Sequence, residues 1–461
     1  MEQSVEVRVF SAAPFYSYFY HPIFIQFPKP HSNISIPLKT LLLYPPHIKL
    51  GDVGLKIVGG EVFVGGPGKN YVTIKIMTDE GVYGLGDATL NNRETLPAAY
   101  LKDYLIPCLI GRDPRNSEDI WQYFYRGAYF RRGPIAMAAT GAIDMALWDI
   151  KGKIAGLPVY QLLGGKSRDG ALVYAHATGA NVEDLLDCID HYQSEGYKAV
   201  RVQCGILNMP EGGYGVAGKN QNANHFITKF TGMPKEEIWN TDKYLNYMPT
   251  VFEKIRERFG PDLKILHDVH HRLTPREAAA FGKEVEKFNL YWLEDPTPAE
   301  DQAALRLIRQ HTTVPIAIGE VFNSLWDCKQ MIEEELIDFI RIAVTYGGGI
   351  THVKRIVDLA GMHHVRTGFH GAPSHSPISM AAQAHINAWA PNFGIQEYLV
   401  LGTPECDALF PSGHICQNGQ FYVSDAPGLG VDFDEKEAAR YQFERGYHPV
   451  VRLEDGTVWN Y

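Results

Sequence analysis

No C-x-x-C pair occurs among the six cysteines of this 461-residue chain. Cys108, Cys188, Cys204, Cys328, Cys406 and Cys416 are scattered, which argues against a disulfide framework and fits a reducing compartment. They are expected to be mostly small buried hydrophobes. No apolar run approaches the roughly 18 residues that a bilayer crossing needs. Where a secretory leader would be basic stand Glu2 and Glu6, and Pro14, His21 and Pro22 interrupt the apolar stretch that follows. The cytoplasm is the expected compartment. An excess of basic charge is also missing. The 43 Lys+Arg face 53 Asp+Glu, a net charge of -10, so no stripe is available for phosphates and neither nucleic acid nor membrane is an expected partner. What is present is ordinary for a folded protein: 45% hydrophobic and 21% charged residues supply a large core and exclude intrinsic disorder and collagen-like order.

Residues 1–54 differ from the rest, being rich in Phe, Tyr, Pro and Ile without helical or strand period. They read as an appended segment. One expectation is that Leu55 marks the true start, a leucine-type start codon read internally when the frame was extended upstream; native peptides from residues 1–54 would refute it. From Leu55 onward GEVFVGG, NYVTIKIMTDE and GVYGLGDATL alternate as strands divided by Gly turns. After Asn91 the apolar spacing becomes three and four, through LPAAYLKDYLIPCLIG and IAMAATGAIDMALWDIKGKIAG. Residues 55–165 are therefore expected to form a small α+β domain.

Beyond it, short apolar runs end in polar residues at nearly constant spacing. ALVYAH ends at His176, KAVRVQ holds Arg201, LKILHD ends at Asp268, LYWLE at Glu294 and VPIAIGE at Glu320; DFIRIAV holds Arg341, VRTGFH ends at His370 and GIQE at Glu397. Asp268 to Glu294 and Glu294 to Glu320 are each 26 residues, and His370 to Glu397 is 27. That length holds a strand, a helix and two short loops. Eight such units are the signature of a TIM barrel. Arg201 to Asp268 takes 67 residues. The excess, GILNMPEGGYGVAGKNQNANHFITKFTGMP and its flanks, is too polar and Gly-rich for core and is expected as a long loop after the second strand. Long loops at that face usually serve function.

At the C-terminal strand ends of such a barrel, Asp268, Glu294 and Glu320 converge from three consecutive strands. Bare carboxylates at that range repel one another and take up protons unless a cation joins them, and a hard ion with oxygen ligands, Mg²⁺ by preference, fits. The plain alternative is that each acid caps the following helix or pairs with a surface Lys. Alternation along LKILHDVHHR places Asp268 and His270 on one face and His267 and His271 on the other. His270 would then stand beside the cation, while a zinc cluster of His267, His270 and His271 is disfavoured by the opposed faces. His176 and His370 are either hydrogen-bonded structural histidines or site residues. Arg341 is either an internal salt-bridge partner or a clamp for a substrate carboxylate. Two nucleotide signals fail. GYGVAG at 213–218 has the G-x-G-x-x-G spacing without a strand leading in or a helix following, and GGKS at 164–167 lacks the required Gly at Tyr160.

LHDVHHRLTP, YWLEDPTP, IAIGEVFNS, YGGGIT, TGFHG and PNFGIQEY resemble the mannonate dehydratase branch of the enolase superfamily, a branch that also carries the label of starvation-sensing proteins. The resemblance covers residues 55–461. It implies an α/β fold, a modified TIM barrel of (β/α)7β form over residues 166–402, with an N-terminal α+β capping domain over 55–165 and a C-terminal segment, 403–461, returning to the cap. It also implies a homo-oligomer. The implied chemistry is removal of the proton α to a sugar-acid carboxylate and loss of the 3-hydroxyl, giving a 2-keto-3-deoxy acid. That proton is very weakly acidic, and positive charge held at the carboxylate supplies the missing stabilisation. By resemblance Asp268, Glu294 and Glu320 hold Mg²⁺, Tyr214 with Arg201 beside it takes the C2 proton, and His270 assists departure of hydroxide. Asn91, His176, Arg341, His370 and Glu397 are substrate-binding positions by the same resemblance. Read without it, Tyr214 is an ordinary loop aromatic.

Departures from the branch fall at the barrel mouth. Where it usually reads HGPTDLSP this chain has HGAPSHSP, so Ser374 replaces an acid, and Tyr346 stands where His is common. The expected function is a Mg²⁺-dependent acid-sugar dehydratase, a hydro-lyase acting on D-mannonate to give 2-keto-3-deoxy-D-gluconate, with D-gluconate next. A catalytically weak homologue acting as a metabolite sensor is the alternative from another class. A racemase or cycloisomerase fits less well, because those carry K-x-K where this chain has Arg201-Val202-Gln203.

Overall fold

The computed structural model describes residues 54–207, 209, 234–371, 375–398 and 403–460. Expectations placed on residues 1–53, on Tyr214 and on Ser374 lie outside the described residues.

Alternating apolar residues build β1 (Ile57–Gly65), β2 (Tyr71–Thr78) and β3 (Tyr83–Asp87), which pair antiparallel in chain order. One face of this sheet is apolar through Val72, Ile74 and Ile76, and it packs on Ala139, Ile143, Leu147 and Ile150 of the helix Pro134–Ala155. Approach is close because β3 carries glycines there. A Cβ on Gly86 would lie 1.9 Å from the Ala142 carbonyl oxygen.

Eight strands then close a parallel barrel. β4 (Gly170–Gly179) pairs with β5 (Ala199–Cys204), which is followed in sequence by β6 (Glu236–Trp239), a strand outside the barrel. β5 pairs next with β7 (Lys264–Asp268), and the order continues through β8 (Trp292–Glu294), β9 (Ile316–Ile318), β10 (Phe339–Ile340) and β11 (Arg366–Thr367). β12 (Gln396–Glu397) returns to β4 and closes the ring. Seven helices fill the crossovers: Val182–Ser194, Thr241–Phe259, Pro275–Val285, Leu305–His311, Leu325–Glu333, Gly349–Met362 and Pro377–Trp389. This is the (β/α)7β arrangement, with the α+β cap ahead of it. Several of those helices start at side-chain caps, Asn181, Asn240, Thr274, Ser324 and Ser376 each accepting a backbone N–H of the first turn.

Two features refine the sequence reading. Part of the long excess after β5 is strand, since β6 lies in its flank and pairs in parallel with β15 (Val450–Leu453), which in turn pairs with β16 (Val458–Trp459). The C-terminal segment also touches the cap: the Leu429 N–H donates to Asp149 Oδ1 at 2.8 Å, and the Phe63 and Phe433 rings lie 5.0 Å apart. All six cysteines are free; Cys204, Cys328 and Cys406 are buried as expected, whereas Cys188 and Cys416 are half-buried and Cys108 is exposed. Among the described residues no helix is long and apolar enough to cross a membrane.

Candidate active site

Strand register assembles the acids. Asp268, the last residue of β7, is the direct partner of Glu294, the last residue of β8, and Glu294 pairs with Ala317 of β9. Gly319, at φ +138°, turns the chain beyond β9, and Glu320 follows it. Oxygens of Asp268, Glu294 and Glu320 all lie within 4.8 Å of one another. Asp268 and Glu294 are buried. Burial pushes both carboxyls above their usual range, the neighbouring acids add to it, and Arg201 beside Asp268 and Arg341 beside Glu294 oppose it. Glu320 goes the other way, to about 2, because His370, His270 and Arg341 outweigh its burial.

Arg341 is fully buried, and the structure commits its guanidinium inside the protein. Nε lies 2.6 Å from Glu294 Oε1, Nη1 donates to Tyr174 Oη at 2.8 Å and to the Gly368 carbonyl at 3.0 Å, and Nη2 donates to Glu320 at 3.3 Å and Glu397 at 2.8 Å. This is the internal-pair arrangement. Arg201 donates through Nη1 to Asp268 at 3.3 Å and through Nη2 to His176 Nδ1 at 3.0 Å. With its Nδ1 accepting, His176 carries its proton on Nε2 and donates it to Glu397 Oε1 at 2.7 Å. Burial and Arg201 lower His176 to about 4, so it is a neutral link. Glu397 also accepts the Gly371 N–H at 3.0 Å, and Arg341 and His370 hold it well below the usual carboxylate range despite its burial.

The three histidines after Leu266 separate. His267 points into the wall of the barrel, with Nε2 2.7 Å from Tyr244 Oη and Nδ1 2.9 Å from the Val202 carbonyl. His270 Nε2 lies 3.5 Å from Glu320 Oε1, and its backbone N–H donates to Asp268 Oδ1 at 2.8 Å. His271 Nε2 lies 3.6 Å from Asp295 Oδ2. Strand alternation does not produce this placement, because β7 stops at Asp268 and both His270 (φ +59°) and His271 (φ +63°) sit in the left-handed region. Among the described residues the three do not group around one point.

His370 faces the cluster through Nε2, 3.7 Å from Glu320 Oε2 and 4.0 Å from Glu397 Oε2. Asn91 is half-buried in the turn after β3, where its backbone carbonyl takes a hydrogen bond from His448 of the C-terminal segment. Residues not anticipated from sequence also join the cluster. Asp295 is buried, neither of its side-chain oxygens has a hydrogen-bond donor among the described residues, and burial raises it to about 7. Its direct succession to Glu294 concealed it, since alternation sends a neighbour outward, whereas φ +39° turns it back. His375, fully buried behind His370, lay in the quoted HGAPSHSP.

Five carboxylates, Asp268, Glu294, Asp295 and Glu397 buried and Glu320 half-buried, thus meet two guanidiniums. Within the set Asp268, Glu294 and Glu320, at 4.8 Å and an effective dielectric of about 20, each pair of full carboxylate charges repels by about 3 kcal/mol. The donor set Asp268, Glu294 and Glu320 is all oxygen and anionic, which suits a hard divalent cation and not a soft one.

Comparisons with known proteins agree in extent. Residues 187–437 match the family described as enolase C-terminal domain-like, and residues 66–164 match the mandelate racemase / muconate lactonizing enzyme N-terminal domain. A D-galactonate dehydratase family member of Oceanicola granulosus is 74% identical over 408 residues, covering 88% of this chain and all of that protein. A D-mannonate dehydratase of Sphingomonas is 55% identical over 406 residues, again 88% and 100%. The crystal structure of an enolase from Pantoea ananatis with bound D-gluconate and Mg superposes with a TM-score of 0.81 at 38% identity, over 88% of this chain and all of that one.

Proposed function

The chain belongs to the enolase superfamily and is a hydro-lyase of acid sugars, and on that premise we propose that it dehydrates D-mannonate to 2-keto-3-deoxy-D-gluconate with Mg²⁺. The observation that carries the reading is the convergence of Asp268 and Glu294, paired at the ends of β7 and β8, with Glu320 just beyond β9, their oxygens within 4.8 Å of one another. These three would hold the cation. When bound, it supplies positive charge toward the substrate carboxylate, which makes the α proton removable.

The protein's own groups do the rest. Tyr214, which lies outside the described residues, takes the C2 proton, a role carried by family likeness. His270, on its left-handed turn beside Glu320, gives a proton to the departing 3-hydroxyl, for which its Nε2 faces the cluster. Arg201, His176, Glu397 and Arg341 form a buried chain of hydrogen bonds and ion pairs. It holds the acids apart and fixes the faces that meet substrate. His370 and Asn91 are proposed substrate contacts from the barrel and the cap.

D-gluconate is the next candidate, favoured by the Pantoea ananatis structure that holds it with Mg. Cytoplasmic residence and a homo-oligomer follow the family. Incubation with a library of acid sugars and Mg²⁺, read as keto-acid formation, is expected to give product from D-mannonate or D-gluconate. Absence of product from every acid sugar, with tight binding of one, would favour the sensor.

A further inference from the structure

The turn that carries His270 holds two consecutive residues in a backbone conformation that L side chains rarely adopt. His270 (φ +59°) and His271 (φ +63°) follow the end of β7, and neither is glycine. Such a pair persists only where its surroundings over-determine it. On one side the barrel does so. Val269 donates its N–H to the Glu294 carbonyl at 3.0 Å, His270 to Asp268 Oδ1 at 2.8 Å and His271 to the Asp295 carbonyl at 2.7 Å.

The far end of the turn is held from the other extreme of the chain. The Trp459 indole N–H donates to the Arg272 carbonyl at 2.9 Å, across 187 positions. Its direction is fixed, because an indole nitrogen only donates and a carbonyl only accepts. Arg272 is buried, and its guanidinium lies 4.6 Å over the ring of Trp239 at the end of β6. Both indoles belong to one small sheet, in which Leu453 of β15 is the register partner of Trp239 and Val451 that of Trp459. Arg452 forks onto Glu236 at 2.7 and 2.9 Å, and Lys243 meets Glu454 at 3.0 Å. Upstream the same segment is pinned to the cap, where Asn70 and Glu444 exchange hydrogen bonds of 2.6 and 3.0 Å. Neither β15 nor β16 pairs with a strand of the barrel wall, so this sheet grips the turn without adding to the ring that it sits on.

We propose that Trp459 is a positioning residue: through the Arg272 carbonyl it holds the left-handed turn in place, so that the His270 ring stays beside Glu320, 3.5 Å away. The C-terminal hairpin thereby sets the aim of the group that meets the departing hydroxyl. What His270 does there rests on the dehydratase reading; how its turn is held is read from the fold alone. Loss of the indole N–H leaves the three barrel-side hydrogen bonds of the turn in place, so the chain still folds while the turn samples other conformations.

Hydrogen–deuterium exchange of the full chain, without added cation, tests the turn; Trp459→Phe keeps an aromatic ring and removes the donor. The amides of His270 and His271 are expected to exchange about tenfold faster than in wild type, the scale of one lost hydrogen bond, while those of β4 and β12 keep their rates. Arg452→Gln, which loosens the hairpin from β6 without touching the turn, should raise the same two rates by a smaller factor. Unchanged exchange at the turn in Trp459→Phe would overturn the proposal. Equal acceleration across the whole barrel would do so too, because it marks Trp459 as a general stabiliser. With whichever of D-mannonate or D-gluconate wild type turns over, Trp459→Phe should lose about tenfold in kcat while KM and the Mg²⁺ dissociation constant stay within about twofold; full kcat beside a loosened turn would refute the positioning role. Wild type that turns over no acid sugar refutes the dehydratase reading, and the exchange rates still decide what holds the turn.

Discussion

Replacing Glu294 by Gln removes one carboxylate from a set whose oxygens lie within 4.8 Å of each other. Two repulsions, with Asp268 and with Glu320, disappear, each about 3 kcal/mol at an effective dielectric of about 20. The attraction to Arg341 Nε at 2.6 Å is lost as well, about 6 kcal/mol on the same scale. These full-charge figures nearly cancel, and burial already favours the neutral Glu294 carboxyl without the cation, so the cation-free variant should unfold within about 2 kcal/mol of wild type. Cation binding behaves differently. Mg²⁺ at 100 times its dissociation constant stabilises wild type by about 2.7 kcal/mol. With an unfolding entropy of roughly 2.1 cal/mol/K per residue over the 408 residues shared with the Oceanicola granulosus relative, that corresponds to a rise in Tm of about 3 °C. A variant that binds about 100-fold more weakly gains only about 0.4 kcal/mol, a rise under about 1 °C. Differential scanning calorimetry of the full chain, in chelator and in Mg²⁺, reads both quantities, and turnover should fall at least a thousandfold in parallel. A Glu294→Gln protein that keeps the full Mg²⁺ shift would refute the assignment of these oxygens to the cation.

Two further outcomes are expected from the cap. Asp144, whose Oδ2 accepts the Thr351 N–H at 2.8 Å and whose Oδ1 accepts the Thr351 hydroxyl at 2.5 Å, is pushed up to about 7 by burial. Between the usual carboxylate value near 4 and that raised value the folded chain holds a proton that the unfolded chain has lost. Stability from this group is therefore complete below about pH 4 and declines as pH rises through about 7. Urea unfolding at pH 5.5 and 7.0 should show the decline reduced in Asp144→Asn by up to about 1.4 kcal/mol per pH unit; an identical pH dependence would contradict it. Gly86→Ala should cost more than about 3 kcal/mol or abolish soluble expression, because its Cβ would lie 1.9 Å from the Ala142 carbonyl oxygen; a change in Tm below about 1 °C would show that β3 and its helix move apart freely.

The barrel was legible because its strands end in acids at a repeating interval, and a repeat of that length has few structural meanings. Asp268 and Glu294 could be paired from spacing alone, and the structure makes them direct partners across β7 and β8. Turns are where the reading failed. His270, His271 and Asp295 all lie beyond strand ends in left-handed conformations, which period-2 alternation cannot encode, so Asp295 was missed and His270 was placed for the wrong reason. The pairing of β6 with β15 joins residues about 210 positions apart, and no local pattern announces a strand of four residues in a polar insertion. His375 was passed over because a histidine next to a motif position carries no period; only the fold brings it against His370.

Closure of the barrel has a consequence for the order in which the protein matures. Asp268 and Glu294 end adjoining strands near the middle of the sheet and Glu320 follows the next one, so an open ribbon already carries them side by side. His176 and Glu397 are 221 positions apart and meet only when β12 docks on β4. A chain paused before that last docking holds the cation ligands without the contact that links them to the opposite wall. If these acids hold the cation as proposed, a refolding chain should regain magnesium affinity before it regains turnover.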